Sequence, residues 1–361
     1  MATGQKTALN IVMGAMTFGE PGTEGARVHD LNDVNAILDV FQKHGHYEVD
    51  SARTYSGGTS EEYLGKIDWK KRGLVMDTKL YPNASNARLR APGKTVISHS
   101  TEDLRKHLDI SLKALQTDSI DMWYLHGPDR TTPFEETLRG VNELYKEGKF
   151  KRFGISNYMS WEVAEIVYIC RQNGYIQPTA YQGIYNAIHR KVEPELFPCL
   201  RKFGIAFYEF NPLGGGFFTG RYRSLHDENE AGSRFDPNTG QGKNYRKRYW
   251  NEPYFKALSK IEEVAKKHNL TLAEVALRWI SHHSSMKREY GDAVLIGASS
   301  VKHIEENLID LEKGPLRKSS QNLLSNPIPH HSDLEFVAEE VLQVLDEAWL
   351  EVYPYASNYF H

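Results

Sequence analysis

Residues 153–186 read FGISNYMSWEVAEIVYICRQNGYIQPTAYQGIYN. Two short β-rich runs, Phe153–Asn157 and Thr179–Asn186, flank a segment with helical spacing, Trp161–Asn173. The runs are mostly continuous in apolar residues, which suits strands covered on both faces of a parallel sheet. Ser160 stands where its hydroxyl can accept a free amide N–H as an N-cap. Gly174 follows the helix as a stop. A third run, Ile205–Pro212, continues the pattern. From Ser156 to Gln182 is 26 residues, and from Gln182 to Asn211 is 29. That is the spacing of a repeated strand–helix unit with parallel pairing and right-handed crossovers.

Working outward, Leu9–Gly14, Tyr47–Ala52, Leu74–Leu80 and Ile120–His126 come before, and Ala293–Ala298 after, making eight runs. Helical patterns over Asp33–His44, Glu102–Leu115 and Glu135–Glu147 lie between them, the last stopped by Gly148. Eight such units close a (β/α)8 (TIM) barrel. A doubly wound open sheet would want G-x-G-x-x-G after an early strand, and the sequence has none. Two connections exceed plain turns. Gly214 to Trp250 follows strand seven at the C-terminal face, where barrel active sites lie, and reads as a cofactor or substrate loop. Gly314 to Ser332 reads as a mobile surface connection. A final helix, Leu334–Glu351, leads to an aromatic tail. No linker divides the chain, so residues 1–361 are expected to form one barrel domain with long C-terminal-face loops and an extra C-terminal helix.

The net charge is -3 with both signs mixed along the chain, which argues against nucleic acid and against a polybasic membrane contact. The one dense basic run, Tyr245-Arg246-Lys247-Arg248, reads as a solvated loop. No apolar run approaches the roughly 18 residues of a membrane span, and Met1–Thr7 lacks the apolar core of a signal peptide. A cytoplasmic protein is expected, with Cys170 and Cys199 as reduced, buried thiols. His282-His283 and His330-His331 lack metal-ligand spacing, so no metal is expected.

Three ionisable residues close apolar strands: Asp50, Lys79 and His126. Tyr55 lies five residues past Asp50. A charged group at such a position must find a partner or carry a large burial penalty. Together they make a chemical set. A free phenol, with a pKa near 10, is a poor proton donor at neutral pH. A lysine ammonium beside it stabilises the phenolate and lowers that pKa. An aspartate keeps the lysine charged, and a histidine can orient a carbonyl. The set fits protonation of a carbonyl oxygen while hydride arrives from a cofactor.

Asp50-Ser51-Ala52-Arg53-Thr54-Tyr55 resembles the D-x-A-x-x-Y signature of the aldo-keto reductases, and Lys79 and His126 fit that superfamily's other catalytic positions. Gly14-Ala15-Met16-Thr17-Phe18-Gly19, the long loop near Tyr245 and the Asn358-Tyr359-Phe360-His361 ending resemble its aflatoxin-aldehyde / succinic-semialdehyde reductase branch. The resemblance implies NADPH-dependent reduction of aldehydes or ketones, with Tyr55 as general acid. It implies that Ser156, Asn157 and Gln182 hold the nicotinamide carboxamide and that Tyr208 stacks on its ring. Asn211, Pro212, Leu213, Gly215, Gly220 and Arg221 would embrace the pyrophosphate, and Arg248 would also bind the cofactor. Gly297, Ser299, Ser300, Lys302, His303, Glu306 and Asn307 would hold the adenosine phosphate, although His303 and Glu306 replace the branch's usual glutamines. Met16, Tyr55, His126, Tyr245, Tyr359 and His361 would face a small carbonyl substrate, and a homodimer is implied. Potassium-channel β-subunits also resemble this superfamily, so a cofactor-sensing regulatory subunit is the alternative. The branch ends Asn-Tyr-x-Arg, whereas His361 stands at the arginine position. Neutral aldehydes are therefore expected over semialdehyde acids, with any preference for acids growing as pH falls toward about 6.

Overall fold

Eight strands hydrogen-bond in chain order and close on themselves, all in parallel: β1 (Asn10–Gly14), β2 (Glu48–Asp50), β3 (Val75–Leu80), β4 (Ile120–Leu125), β5 (Phe150–Ser156), β6 (Pro178–Ile184), β7 (Ala206–Phe210) and β8 (Ala293–Gly297). Strand β1 pairs with both β2 and β8, so no edge remains. The computed structural model describes residues 6–84, 95–316 and 331–361, apart from the side chains of 331–338. The expected connection from Gly314 to Ser332 falls mostly outside the described residues, as does the His330-His331 pair.

Helices cover the outside: α1 (Leu31–Lys43), α2 (Thr59–Lys66), α3 (Thr101–Ala114), α4 (Phe134–Lys146), α5 (Ser160–Asn173), α6 (Leu196–Phe203), α7 (Gly240–Tyr249), α8 (Glu252–Lys267), α9 (Leu272–His282), α10 (Val301–Glu312) and α11 (His331–Val352). Each strand therefore loses water from both faces, which is why its sequence reads as continuous rather than alternating. Alternate residues still split between two cores. Val12, Met122, Tyr124, Ala180, Tyr208, Ala293 and Leu295 fill the barrel interior, while the larger cluster lies between strands and helices. Gly154 is needed for that filling, since a Cβ there would lie 2.3 Å from the Tyr124 ring. Among the described residues, no helix is long and apolar enough to cross a membrane.

Two local expectations change. Ser160 is the first residue of α5 and not its cap. Met159 takes the cap position, and its N–H donates to the Glu162 carboxylate at 2.8 Å. The expected loop from Gly214 to Trp250 contains helix α7, started by Thr239, whose hydroxyl accepts the Gly242 N–H at 2.9 Å. The basic run is thus the last turn of a helix, where cations meet the negative end of the helix dipole. Arg246 lies 4.2 Å from the Trp250 ring and donates to Asn229 at 3.1 Å, so it packs instead of being fully solvated. Cys170 is buried and Cys199 half-buried, both as free thiols.

Candidate active site

The C-terminal ends of β2, β3 and β4 bring the expected set together. The Lys79 ammonium donates to the Asp50 carboxylate at 2.6 Å and to the Ser51 carbonyl at 2.7 Å, and both charged side chains are buried. The Tyr55 ring centroid lies 4.8 Å from the same nitrogen. The His126 ring meets Tyr55 edge-on at 5.8 Å. Burial opposes the charge on Lys79, but Asp50 and then Tyr55 outweigh it and hold the ammonium above the ordinary lysine range. Burial raises Asp50 against the pull of Lys79.

The expected downward shift of the phenol is overturned. Burial raises the Tyr55 hydroxyl by more than Lys79 lowers it, so the net direction is upward. Tyr55 therefore holds its proton at neutral pH, and the lysine's part is to stabilise the phenolate once the proton has left. Burial, then Lys79 and His361, hold His126 well below its usual range, so it is a neutral imidazole. Its Nδ1 is buried and without a hydrogen-bond partner among the described residues.

Ser156, Asn157 and Gln182, expected to hold the carboxamide, lie around this set. Asn157, held at a left-handed φ of 65°, donates to the His126 carbonyl and the Ser156 hydroxyl, both at 2.9 Å. Gln182 already spends its amide N–H on Asp50 at 2.8 Å. Tyr208 lies elsewhere. Its hydroxyl turns to the lower end of the barrel and contacts Glu48 and Arg152, each at 3.2 Å. Phe210, two residues on and on the same strand face, ends β7 at the mouth and is half-buried there.

The glycine loop behaves as a cradle. Gly214, Gly215 and Gly216 all have positive φ. A Cβ on Gly215 would lie 2.1 Å from the Tyr245 ring, so glycine lets that tyrosine close down on the loop. Tyr245 is buried. It receives a hydrogen bond from Arg234 and gives one to Asn211, both at 2.9 Å, beside the glycine loop, and it also acts electrostatically on Tyr55. The Arg248 guanidinium lies 5.7 Å from the centre of the Tyr245 ring, and its charge acts on Tyr245 as well as on Tyr81 and His361. Gly220 closes the cradle's short turn with φ 71°.

Beside β8, Ser300 caps α10 by accepting the His303 N–H at 3.2 Å, and Ser299 contacts the His303 ring at 3.1 Å. Lys302 pairs with Glu306 at 3.7 Å on the surface, and Arg221 with Glu230 at 2.5 Å. Asn307 is buried on the same helix. Two cations not anticipated from the sequence stand closer. Arg234 reaches over Gly297, and Arg27 has buried Nε and Nη2 atoms without partners among the described residues. Burial and then Arg234 lower Arg27, the sign of two cations facing each other.

The tail does fold over the mouth. The His361 ring lies 5.7 Å from Tyr81, which in turn meets His126 edge-on at 5.4 Å. Arg130 donates to the His361 carbonyl at 3.1 Å. Tyr359 is an anchor and not a pocket residue. It accepts the Ser160 N–H at 3.1 Å and donates to Glu195. Met16 stays at the rim, beside Gln241.

The sequence profile of the aldo/keto reductase family matches residues 10–325. The chain belongs to this family. It is 46% identical over 99% of its length to the aldo-keto reductase pigE of Monascus ruber, 98% of which is covered. It is 43% identical to the human aldo-keto reductase family 7 member A3, covering 84% of this chain and 89% of that one. The human aflatoxin B1 aldehyde reductase member 2 is 42% identical, covering 84% and 82%. This aldo/keto reductase is accordingly an oxidoreductase of carbonyl groups that uses a nicotinamide cofactor.

Proposed function

We propose that the protein is a cytoplasmic, NADPH-dependent reductase of aldehydes, and of some ketones, with Tyr55 as proton donor. The observation that carries this reading is the Lys79 ammonium held between the Asp50 carboxylate at 2.6 Å and the Tyr55 ring at 4.8 Å, with a neutral His126 alongside. The nicotinamide, when bound, supplies the hydride. His126 orients the carbonyl oxygen, Tyr55 gives it a proton, and Lys79 stabilises the phenolate left behind. Phe210 offers a flat apolar surface at the mouth in the role the sequence assigns to Tyr208. Aldehyde-dependent oxidation of NADPH, followed by absorbance, tests the reading. Tight NADPH binding without turnover would instead favour the regulatory-subunit alternative.

The residues fit a phosphate-bearing cofactor. Arg27 Nε and Nη2 and Asn211 Nδ2 are buried donors with no protein partner among the described residues, and Gly216, at φ 101°, borders open space. Unspent donors of this kind call for an anionic occupant. Arg221 and Lys302 stand in exposed surface pairs with Glu230 and Glu306, whereas Arg27 has buried donors without a partner among the described residues and Arg234 lies over Gly297, so Arg27 and Arg234 are expected to carry an NADPH contact. Arg27→Met should weaken NADPH binding about tenfold or more, the equivalent of one charge-assisted hydrogen bond. Fluorescence titration with NADPH and NADH checks it. Loss for NADPH alone assigns the 2′-phosphate, equal loss for both assigns the pyrophosphate, and unchanged affinity for both refutes the role.

The rim bears on substrate choice. Burial, then Arg248 and Arg130, push the His361 imidazole down to about 4. It stays neutral across the range where an ordinary histidine gains charge. The ratio of kcat/KM for succinic semialdehyde to that for a neutral aldehyde of similar size should be flat from pH 8 to about 5.5. His361→Arg should raise the ratio through bidentate contact with the carboxylate. A ratio that climbs steeply near pH 6.5 in the parent protein would show a freely titrating histidine and refute the argument.

A further inference from the structure

Beneath the loop that delivers Tyr55 lies an ion pair, with its carboxylate fully buried and its guanidinium half-buried, that the chemistry above does not use. Arg53, two residues before Tyr55, turns its guanidinium under the loop and donates to Glu61 Oε2 at 2.6 Å. Glu61 is on α2 and fully buried. Its other oxygen accepts the hydroxyl of Thr78, the residue before Lys79, also at 2.6 Å. One carboxylate thus spans the loop that carries Tyr55 and the strand that carries Lys79. The backbone joins the same two segments, with Ser51 N–H on the Asp77 carbonyl at 3.0 Å and Arg53 N–H on the Lys79 carbonyl at 3.1 Å.

The loop is shaped around this pair. A Cβ on Gly58 would fall 1.5 Å from Arg53 Nη2, so the guanidinium occupies space that only glycine leaves open. Ser56, next to Tyr55, is held at a left-handed φ of 48°, and its hydroxyl donates to the Met16 carbonyl at 3.2 Å. A non-glycine residue keeps such a conformation only where its surroundings impose it. A buried ion pair is weak evidence for stability, because an apolar replacement of similar shape often serves as well. This pair instead connects the two segments whose relative placement decides how far the phenol sits from the ammonium.

We propose that Glu61, acting through Arg53 and Thr78, is a positioning residue that fixes Tyr55 against Lys79. The proposal rests on the reading of Tyr55 as proton donor. Glu61→Gln keeps the shape and the bond to Thr78 but removes the charge that holds Arg53. A small misplacement of a reacting group costs up to ~100-fold, so a loss of ~10–100-fold in the single-turnover rate of NADPH oxidation by an aldehyde is expected. NADPH affinity by fluorescence should stay within about twofold, because no cofactor contact changes.

The deciding measurement is the cycle with Tyr55→Phe. Where no phenol remains to be positioned, adding Glu61→Gln should change the residual rate by less than about twofold. The same fractional loss in both backgrounds means general loosening and overturns the proposal, as does a parent-like rate for Glu61→Gln alone. If Glu61→Gln does not fold, Thr78→Val carries the cycle, with a loss of several-fold expected in the parent and none in Tyr55→Phe. Full turnover by Tyr55→Phe would overturn the proton-donor reading itself, a result separate from any outcome at Glu61.

Discussion

Tyr55→Phe is expected to cut kcat by ~10²–10⁴-fold, the usual contribution of a positioned general acid. NADPH affinity should stay nearly unchanged. Phenylalanine keeps the ring that lies 4.8 Å from the Lys79 ammonium and edge-on to His126, and removes only the hydroxyl. No neighbour can replace the lost proton. His126 is held neutral by burial, by Lys79 and by His361. Lys79 is held charged, above the ordinary lysine range, and its ammonium is already committed to Asp50 and to the Ser51 carbonyl. Because burial raises the Tyr55 hydroxyl, the parent's activity should hold through neutral pH and fall only on the alkaline side. Steady-state turnover of an aromatic aldehyde and fluorescence titration of NADPH check both halves. Near-parent turnover in the variant would hand the acid's role to another group.

The barrel is legible in the sequence because each strand is covered on both faces, so its run of apolar residues stands out from the helices on either side. Asp50, Lys79 and His126 are legible for a related reason: an ionisable residue at the end of such a run has to be explained. Tyr208 shows the limit of that reading. Ala206, Tyr208 and Phe210 share one face of β7, and only depth along the barrel separates an interior ring from one at the mouth. Counting to the strand's last inward residue points to Phe210. Arg27 and Arg234 give no comparable signal. Each sits in a polar, glycine-rich stretch, and what marks them is that neither forms an ion pair with a carboxylate among the described residues, a property of three-dimensional packing. Helix α7 is hidden by its glycine and asparagine content, and its stability comes from the Thr239 cap and from aromatic packing around Tyr249 and Trp250.

Packing also buries ionisable groups whose effects on stability run in opposite directions with pH. His46 is fully buried against Phe41, with both ring nitrogens lacking partners among the described residues. Burial, then His44, pushes it down to about 4. Unfolded, it would titrate near 6.5. Between those values the unfolded chain binds the extra proton, so the stability His46 permits above pH 6.5 is lost as pH falls toward 4. Glu209 is the reverse. It is buried, both carboxylate oxygens lack partners among the described residues, and burial raises it well above the usual carboxylate range. The fold accepts it protonated, so its contribution is present below about 4.5 and is lost as pH rises toward its folded value. The net acid response of the parent mixes the two, and single variants separate them. His46→Phe, which keeps a ring against Phe41, should gain on the parent by roughly 3 kcal/mol between pH 7.5 and pH 4, the size of a shift from 6.5 to about 4. Glu209→Gln should show its advantage at pH 8 and lose it toward pH 4.5. Urea unfolding of the three proteins at matched pH values is the measurement. A pH-independent gap for His46→Phe would mean that the imidazole already finds a proton partner in the fold, and a gap of the opposite slope for Glu209→Gln would mean that its carboxylate is held charged.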